Sequence, residues 1–155
     1  MVKILVIQNK RIGDVLIAST IATNVKKHRP DAHISYLVYD YTAGVIENHP
    51  HIDRVVTVNA KELKKIGELC RVIAAIRREK YDIVFDPYAK IQSRIICLFS
   101  GVKKRIGFIR KGKKLLLPYY TQTVCFLNKG SKDCGIAIEN RVQMAQAVFA
   151  LEKPD

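Results

Sequence analysis

The start of the chain restricts the possible folds more than any other stretch. Lys3 to Ile7 is a short apolar run of mostly branched side chains, the pattern of a strand that is buried on both faces. A polar loop, residues 8–13, follows, and from Asp14 apolar residues recur at three- and four-residue spacings until Pro30 ends the pattern. A doubly covered strand that leads into a helix predicts an α/β fold. Asp14 is then placed at the carboxyl end of the strand, where open α/β sheets bind ligands.

The alternation of strand and helix patterns continues for two thirds of the chain. Further strands are predicted at residues 34–39, 54–58 and 81–86, with a more exposed one at 104–108, and helices at 42–48, 61–80 and 91–99. This order predicts a mostly parallel sheet with right-handed crossovers. Beyond residue 112 we expect short edge strands or a wrapped loop around 115–117 and 121–127, a polar loop at 128–135, and a helix over 138–151.

The charge balance points to an anionic partner. The 155 residues include 27 Lys+Arg and 14 Asp+Glu, a formal net charge of +13. Such a surface favours nucleic acid, an acidic membrane or phosphorylated substrates, without choosing among them. No apolar run approaches the ~18–20 residues of a membrane span, and the start lacks a signal-peptide pattern. We therefore expect a cytoplasmic protein that can contact a membrane.

The cysteines and histidines favour neither a disulfide framework nor a metal site. No C-x-x-C pair occurs, and the cysteines, in mostly apolar contexts, are expected to be reduced core thiols: Cys70, Cys97, Cys125 and Cys134. The histidines show no metal-ligand spacing, and His49 and His51 are expected to end a helix. The glycine patterns of dinucleotide-binding folds and of P-loop NTPases are both absent from the sequence.

Asp14 has two interpretations that local sequence leaves open. Aspartate is a favoured helix N-cap, a structural role that contributes about 0.5–2 kcal/mol relative to alanine. A carboxylate at the mouth of the crevice could instead accept a proton from a substrate hydroxyl, and a helix N-terminus would favour its ionised form. Asp86, which ends the fourth predicted strand, is expected to cap the following helix.

A basic cluster stands out in the second half of the chain. It is either a solvated surface or an electrostatic site for phosphate groups or anionic lipid headgroups, and it consists of Lys103, Lys104, Arg105, Arg110, Lys111, Lys113 and Lys114. A nucleic-acid partner stays open, although no aromatic residues alternate with this run. Near the carboxyl ends of the first and fourth strands we expect further positive charge around Asp14, from Lys10, Arg11, Lys90 and Arg94.

Several segments, taken in order, resemble glycosyltransferase family 9, the heptosyltransferases that build the lipopolysaccharide inner core. The matching segments are KILVI at 3–7, IGDVL at 12–16, RPDAHI at 29–34, NHPHIDRVV at 48–56, YDIVFD at 81–86, SG at 100–101 and RIGF at 105–108. None is specific alone, and their order across residues 3–108 carries the resemblance. It implies the GT-B architecture, in which two Rossmann-like domains face a cleft and the C-terminal one holds most of the nucleotide-sugar donor.

The resemblance implies a Rossmann-like acceptor-binding domain over residues 1–135 and a linker helix over 136–155 that leads to a donor domain absent from this chain. It implies inverting, metal-independent transfer without a cofactor, with Asp14 as the general base. The acceptor is an anionic, phosphorylated glycolipid, and we expect contacts to it from Lys10, Arg11, Gly13, Lys90, Arg94, Arg105 and Arg110. The expected setting is the cytoplasm, with peripheral contact at the inner membrane, no specific nucleic acid, and negligible transfer by this chain alone.

One segment departs from the family pattern. After the fourth strand the family commonly has Asp-x-Gln-Gly, whereas this chain has Asp86-Pro87-Tyr88-Ala89. The acceptor contacts of that loop therefore do not carry over directly. Two other functions stay open beside the enzyme: a non-catalytic module that binds anionic lipid or phosphosugar, and a basic nucleic-acid-binding protein.

Overall fold

A computed structural model describes residues 1–114, 117–127 and 135–149. Within them six strands form one sheet in the order β3-β2-β1-β4-β5-β6, with every neighbouring pair parallel. The strands are β1 Lys3–Ile7, β2 His33–Tyr39, β3 Arg54–Val58, β4 Ile83–Asp86, β5 Lys104–Ile109 and β6 Gln122–Cys125. The predicted α/β fold with a mostly parallel sheet is confirmed.

Helices cover both faces of the sheet. They are α1 Ile12–Ala18, α2 Thr20–His28, α3 Ile66–Glu79, α4 Ile91–Phe99 and α5 Ile136–Phe149, with 3₁₀ helices at Asp40–Val45 and Glu62–Lys64. One core packs α1, α2 and α5 against one face, and a second packs α3 and α4 against the other. Since the side chains of β1 alternate between these cores, both of its faces are apolar, as predicted.

Three predicted helices differ from the observed structure. The first is divided at Ser19, whose hydroxyl donates to the Leu16 carbonyl, while the Thr20 hydroxyl donates to that of Ile17, both at 2.7 Å. Such hydroxyl bonds to preceding carbonyls bend helices. The helix predicted over 61–80 is interrupted at Lys65, which is extended. The segment predicted as a helix at 42–48 is instead the 3₁₀ helix Asp40–Val45.

The exposure predicted for β5 is wrong. Strand β6 pairs with the outer side of β5, so Ile106 and Phe108 are buried and β6 becomes the edge strand. An edge strand within 121–127 agrees with the prediction, whereas residues 115–116 and 128–134 lie outside the described part. The three described cysteines are free, but only Cys97 is buried. Cys134 lies outside the described residues.

The last described helix belongs to the packing of the domain. Met144 and Ala145 of α5 are fully buried in the core that contains α1 and α2. The helix predicted at 138–151 therefore exists from Ile136 to Phe149, and residues 150–155 lie outside the described part. The division of the chain at residue 135 stays a prediction. Among the described residues, no helix combines the length and apolar character needed to cross a bilayer.

Candidate active site

The sheet changes the direction of its connections between β1 and β4. The helices that follow β1 pack on one face and α4, which follows β4, packs on the other, so a crevice opens between the carboxyl ends of these neighbouring strands. A switch point of this kind is where parallel α/β sheets bind ligands. The residues expected to act on a substrate should therefore meet at the carboxyl ends of β1 and β4.

A cleft of about 660 Å³ occupies this edge of the sheet. Seven cationic side chains line it: Lys10, Lys90, Arg94, Arg110, Lys113, Lys114 and Arg141. Aromatic surface from Tyr88, Phe108 and Phe126 lines it as well, and no Asp or Glu is among its lining residues. The cleft therefore suits a ligand that carries several negative charges on a partly apolar framework.

Asp14 lies at the rim of this cleft. It is the third residue of α1, its side chain is 26% exposed, and its Oδ1 lies 3.2 Å from the Nζ of the cleft residue Lys10. The N-cap interpretation of Asp14 is wrong, because α1 begins at Ile12 and its N-cap is Arg11, with no side-chain cap. Oδ2 of Asp14 has no partner among the described residues, so one carboxylate oxygen is open to a ligand.

The eight predicted site residues are only partly brought together. Lys10, Lys90, Arg94 and Arg110 line the cleft. Arg11 and Gly13 are exposed at the start of α1, and a Cβ added at Gly13 would meet open space. Neither packing nor a positive φ therefore demands a glycine there.

Arg105 does not reach the cleft. It lies near the amino end of β5, where its guanidinium donates to the carbonyls of Val102, Pro118 and Tyr119 at 2.7–3.1 Å. Each of the three guanidinium nitrogens of Arg105 thus already donates to a backbone carbonyl instead of to a phosphate. Arg105 instead fixes the loop that precedes β6.

Arg141 is a site residue that the sequence prediction missed. It is buried, its guanidinium carbon lies 5.3 Å from the centroid of the Phe108 ring, and its Nε has no partner among the described residues. Burial lowers the pKa of Arg141, and the negative charge of Asp14 opposes that shift. Its sequence signal was a charge on the apolar face of α5, three and four residues before Met144 and Ala145.

Two buried amides complete the end of β1. Gln8 and Asn9 are fully buried, and none of their four side-chain amide atoms has a hydrogen-bond partner among the described residues. Buried polar atoms are normally satisfied, so this pair can accept hydrogen bonds from, and donate them to, a bound molecule or ordered water. The two residues lie between the end of β1 and the cleft residue Lys10.

Asp86 has a structural role that differs from the predicted one. It is fully buried, Oδ1 accepts from the Ala89 N–H at 2.9 Å, and Oδ2 accepts from the Tyr120 hydroxyl at 2.6 Å. It does not cap α4, because that helix begins at Ile91 and the Ser93 hydroxyl accepts from the N-cap N–H. Burial raises the pKa of Asp86 against the opposing hydrogen bond from Tyr120.

The loop that Asp86 holds is strained at Ala89. This residue has a φ of 51°, in the left-handed region that favours glycine, and the family pattern has glycine here. The next residues, Lys90 and Arg94, reach the cleft. Asp86 thus shapes the loop that presents two of the cleft cations. No cluster of three metal-ligating side chains occurs among the residues the structure describes.

The chain is similar in sequence to two lipopolysaccharide heptosyltransferases. Lipopolysaccharide heptosyltransferase 1 of Campylobacter coli is 28% identical over 112 residues, which is 72% of this chain and 32% of that protein. Lipopolysaccharide heptosyltransferase 3 of Escherichia coli is 31% identical over 77 residues, 48% of this chain and 23% of that protein. No family model matches the chain.

Solved structures share the fold. The E. coli heptosyltransferase WaaC with ADP superposes with a TM-score of 0.78 at 17% identity, covering 98% of this chain and 49% of that one. A family 9 glycosyl transferase from Veillonella parvula DSM 2008 gives a TM-score of 0.79 at 18% identity, covering 99% and 43%. The chain spans about a third or less of the curated relatives named above and no more than half of these solved chains. The resemblance to family 9 heptosyltransferases is confirmed.

Proposed function

We propose, from this resemblance, that the chain is the acceptor-binding half of an inverting, metal-independent glycosyltransferase. It transfers heptose or a related sugar from a nucleotide-sugar to a phosphorylated acceptor of the lipopolysaccharide core, at the inner face of the cytoplasmic membrane. The observation that carries the proposal is the cationic cleft with Asp14 at its rim.

Asp14 acts as the general base. Its open Oδ2 accepts the proton of an acceptor hydroxyl as that oxygen attacks the anomeric carbon of the donor. The new carbon–oxygen bond forms as the bond from the anomeric carbon to the nucleotide phosphate breaks, and the nucleoside diphosphate leaves with the bonding electrons. Attack from the side opposite the leaving group inverts the anomeric centre. The partial exposure of Asp14 meets the first requirement of this step, since the base must touch the substrate.

The cleft cations hold the acceptor. Arg94, Arg110 and Arg141 can bind phosphate or carboxylate oxygens in bidentate geometry, whereas Lys10 and Lys90 act as point charges. With its Nε unpartnered and its planar group over Phe108, Arg141 is held at the back of the cleft. We expect it to contribute more to acceptor affinity than the exposed lysines do, because a buried charge is less screened.

The donor is expected to bind outside this chain. Relatives were solved with ADP and with ADP-2-deoxy-2-fluoro heptose, and this chain matches about half of their length. We therefore expect the 155 residues alone to bind acceptor but to transfer sugar negligibly, without any bound cofactor. Measurable turnover of a nucleotide-heptose donor by this chain alone would contradict that expectation.

The decisive experiment is Asp14→Asn in a two-domain enzyme that contains this chain. We expect a loss of kcat of about 10²–10⁴-fold with acceptor affinity retained, because the amide keeps the shape and loses the base. Asp31→Asn is the control: it removes one negative charge from an exposed ion pair in the turn before β2, at the amino ends of the strands. If Asp14→Asn leaves kcat unchanged, the catalytic role of Asp14 is wrong. If the two-domain enzyme transfers no sugar but binds the acceptor, the cleft is a binding module.

The nucleic-acid alternative is tested on the same protein. Phosphate-backbone binding weakens steeply with salt, with a slope set by the number of phosphates neutralised. Titration with RNA and DNA at two salt concentrations should give weak, sequence-independent binding. Affinity for one nucleic-acid sequence that survives high salt would favour the alternative over the enzyme.

A further inference from the structure

One helix presents an apolar stripe to solvent where a surface helix normally presents polar residues. In α4 the inward positions are Ser93, Ile96 and Cys97, and all three are buried. The opposite arc of roughly 100° carries four large apolar side chains: Ile91, Ile95, Leu98 and Phe99. Ile91 is 57% and Phe99 53% exposed, and Ile95 and Leu98 are half-buried.

Two cationic side chains lie beside this stripe, and the sequence around α4 is basic. The sequence contains no Asp or Glu between Asp86 and Asp133, while eleven Lys and Arg residues fall in that interval. Arg94 flanks the stripe on α4 itself, with its guanidinium carbon 5.9 Å from the centroid of the Tyr119 ring. At the far end of the helix, Arg77 donates to the Phe99 carbonyl at 3.3 Å. An apolar stripe bordered by cations and aromatic side chains has the character of a surface that lies in the interface of an anionic bilayer.

We propose that the exposed face of α4 docks the protein on an anionic phospholipid membrane. The four apolar side chains enter the boundary between headgroups and acyl chains, and the surrounding lysines and arginines bind the headgroups. Charge complementarity favours lipid over a second protein surface as the occupant, since α4 carries no carboxylate and Arg94 and Arg77 lie beside its apolar stripe.

The placement of α4 connects this surface with the cleft. The start of α4 also lines the cleft. The residues shared by both are the N-cap Lys90 and, from the first turn, Ile91 and Arg94. A lipid-anchored molecule held in the plane under α4 would therefore present its headgroup at the mouth of the cleft. This second step depends on the proposed glycolipid acceptor, whereas membrane docking itself does not.

The test is flotation of the 155-residue protein with two kinds of vesicle, one of phosphatidylglycerol with phosphatidylethanolamine and one of phosphatidylcholine alone. We expect binding to the anionic vesicles only, and weakening as salt is raised. The variant Ile91→Ser/Phe99→Ser should lower the partition coefficient by about tenfold or more, because two apolar side chains no longer enter the bilayer.

The matched control is Ile12→Ser/Leu16→Ser, which removes two side chains of similar exposure, 51% and 55%, from the opposite helical layer. The proposal requires this control to float like the unchanged protein, with thermal unfolding of both variants unaltered. Equal losses from both variants would overturn it, as would salt-sensitive binding that the α4 variant does not weaken.

Two other occupants give distinct results. If α4 contacts a second copy of the chain, sedimentation velocity shows a dimer for the unchanged protein and a monomer for the α4 variant. Vesicles then bind neither protein, and that result overturns the proposal. If the sequence beyond this chain covers α4, the two-domain enzyme fails to float while the 155-residue chain floats, which also overturns it. Failure of the two-domain enzyme to transfer sugar, with flotation retained, would count against the proposed function alone.

Discussion

The neighbouring strands β1 and β4 each lead into a helix through a segment that carries an aspartate, and the two carboxyl groups have opposite surroundings. Asp14 is partly exposed, and one oxygen contacts the exposed side chain of Lys10 while the other is open. Asp86 is fully buried, and both of its oxygens accept hydrogen bonds from within the protein. The sequence suggests a helix cap for both residues, and neither caps a helix.

The difference separates a carboxylate that can act on a substrate from one that shapes the site. A base must reach its substrate, so Asp14 cannot have both oxygens fixed by the protein. A carboxyl group that holds a strained loop must be satisfied inside, since an unpaired buried acceptor costs about 1–3 kcal/mol. Asp86 keeps the loop that bears Lys90 and Arg94 in place. In the proposed mechanism, Asp14 takes a proton from the acceptor that these cations bind.

The largest effect is expected at Gly107, which underlies the Asp86 site. A Cβ at this position would overlap the ring of Tyr120. Gly107→Ala should therefore displace the ring, break the hydroxyl bond to Asp86, and lower the free energy of unfolding by about 3 kcal/mol in urea denaturation. Gly13→Ala is the control, because its Cβ meets open space; its stability should change by less than about 1 kcal/mol. Similar losses from both would show that Tyr120 is not fixed as described.

The next effect separates the two aspartates directly. Asp86→Asn replaces one of two acceptor oxygens with an NH₂ group that faces a hydrogen-bond donor, and should lower the free energy of unfolding by about 2 kcal/mol. Asp14→Asn removes a partly exposed contact with Lys10 and the negative charge that acts on Arg141, and should lower the free energy of unfolding by less than about 1 kcal/mol. Chemical denaturation of both variants measures the contrast. A destabilised Asp14→Asn protein would mean that Asp14 has a structural role.

A smaller gain in stability is expected from Ala89→Gly. The left-handed conformation at φ 51° costs a residue with a Cβ about 1 kcal/mol, which glycine avoids. The variant should unfold at a correspondingly higher urea concentration, provided that the Asp86 bond to the residue 89 N–H is retained. Ala43→Gly, at a buried position with no positive φ, should instead be destabilising.

The smallest effect is the contribution of Asp86 to the pH dependence of stability. Because burial raises the pKa of Asp86 in the folded protein, the stability from its protonated form is fully present below the unfolded pKa, near 3.8. That stability is lost as pH rises through the raised folded value. The free energy of unfolding of the unchanged protein minus that of Asp86→Asn should therefore fall as pH rises from about 3.8. A difference that grows with pH would contradict the assigned direction.

The architecture could be predicted because it depends on local patterns. Neighbouring residues are enough to identify a buried strand such as Lys3–Ile7 and the helical spacing after Asp14. The alternation of such strands and helices predicts a parallel sheet. The exposure of β5 could not be predicted, because it depends on whether the weakly patterned β6 pairs with it.

The cleft was only half predictable for a similar reason. Lys10, Lys90 and Arg110 follow strands whose carboxyl ends must meet, so their convergence follows from the topology. Arg141 arrives on a helix more than a hundred residues after Asp14, and the Tyr120 partner of Asp86 is 34 residues away. Arg105 has the same local pattern as the cleft cations, but carbonyls that only the folded loop supplies occupy its donors.

The ammonium group of Lys10 contacts the carboxylate of Asp14 and can also bind a phosphate in the cleft. Lys10 points at the carboxylate from within the cleft, so a phosphate arriving there competes for the same cation. Each acceptor that takes up Lys10 thereby releases the second oxygen of Asp14. In the proposed enzyme, binding of an acceptor at Lys10 would therefore free a second carboxylate oxygen beside the one that is already open.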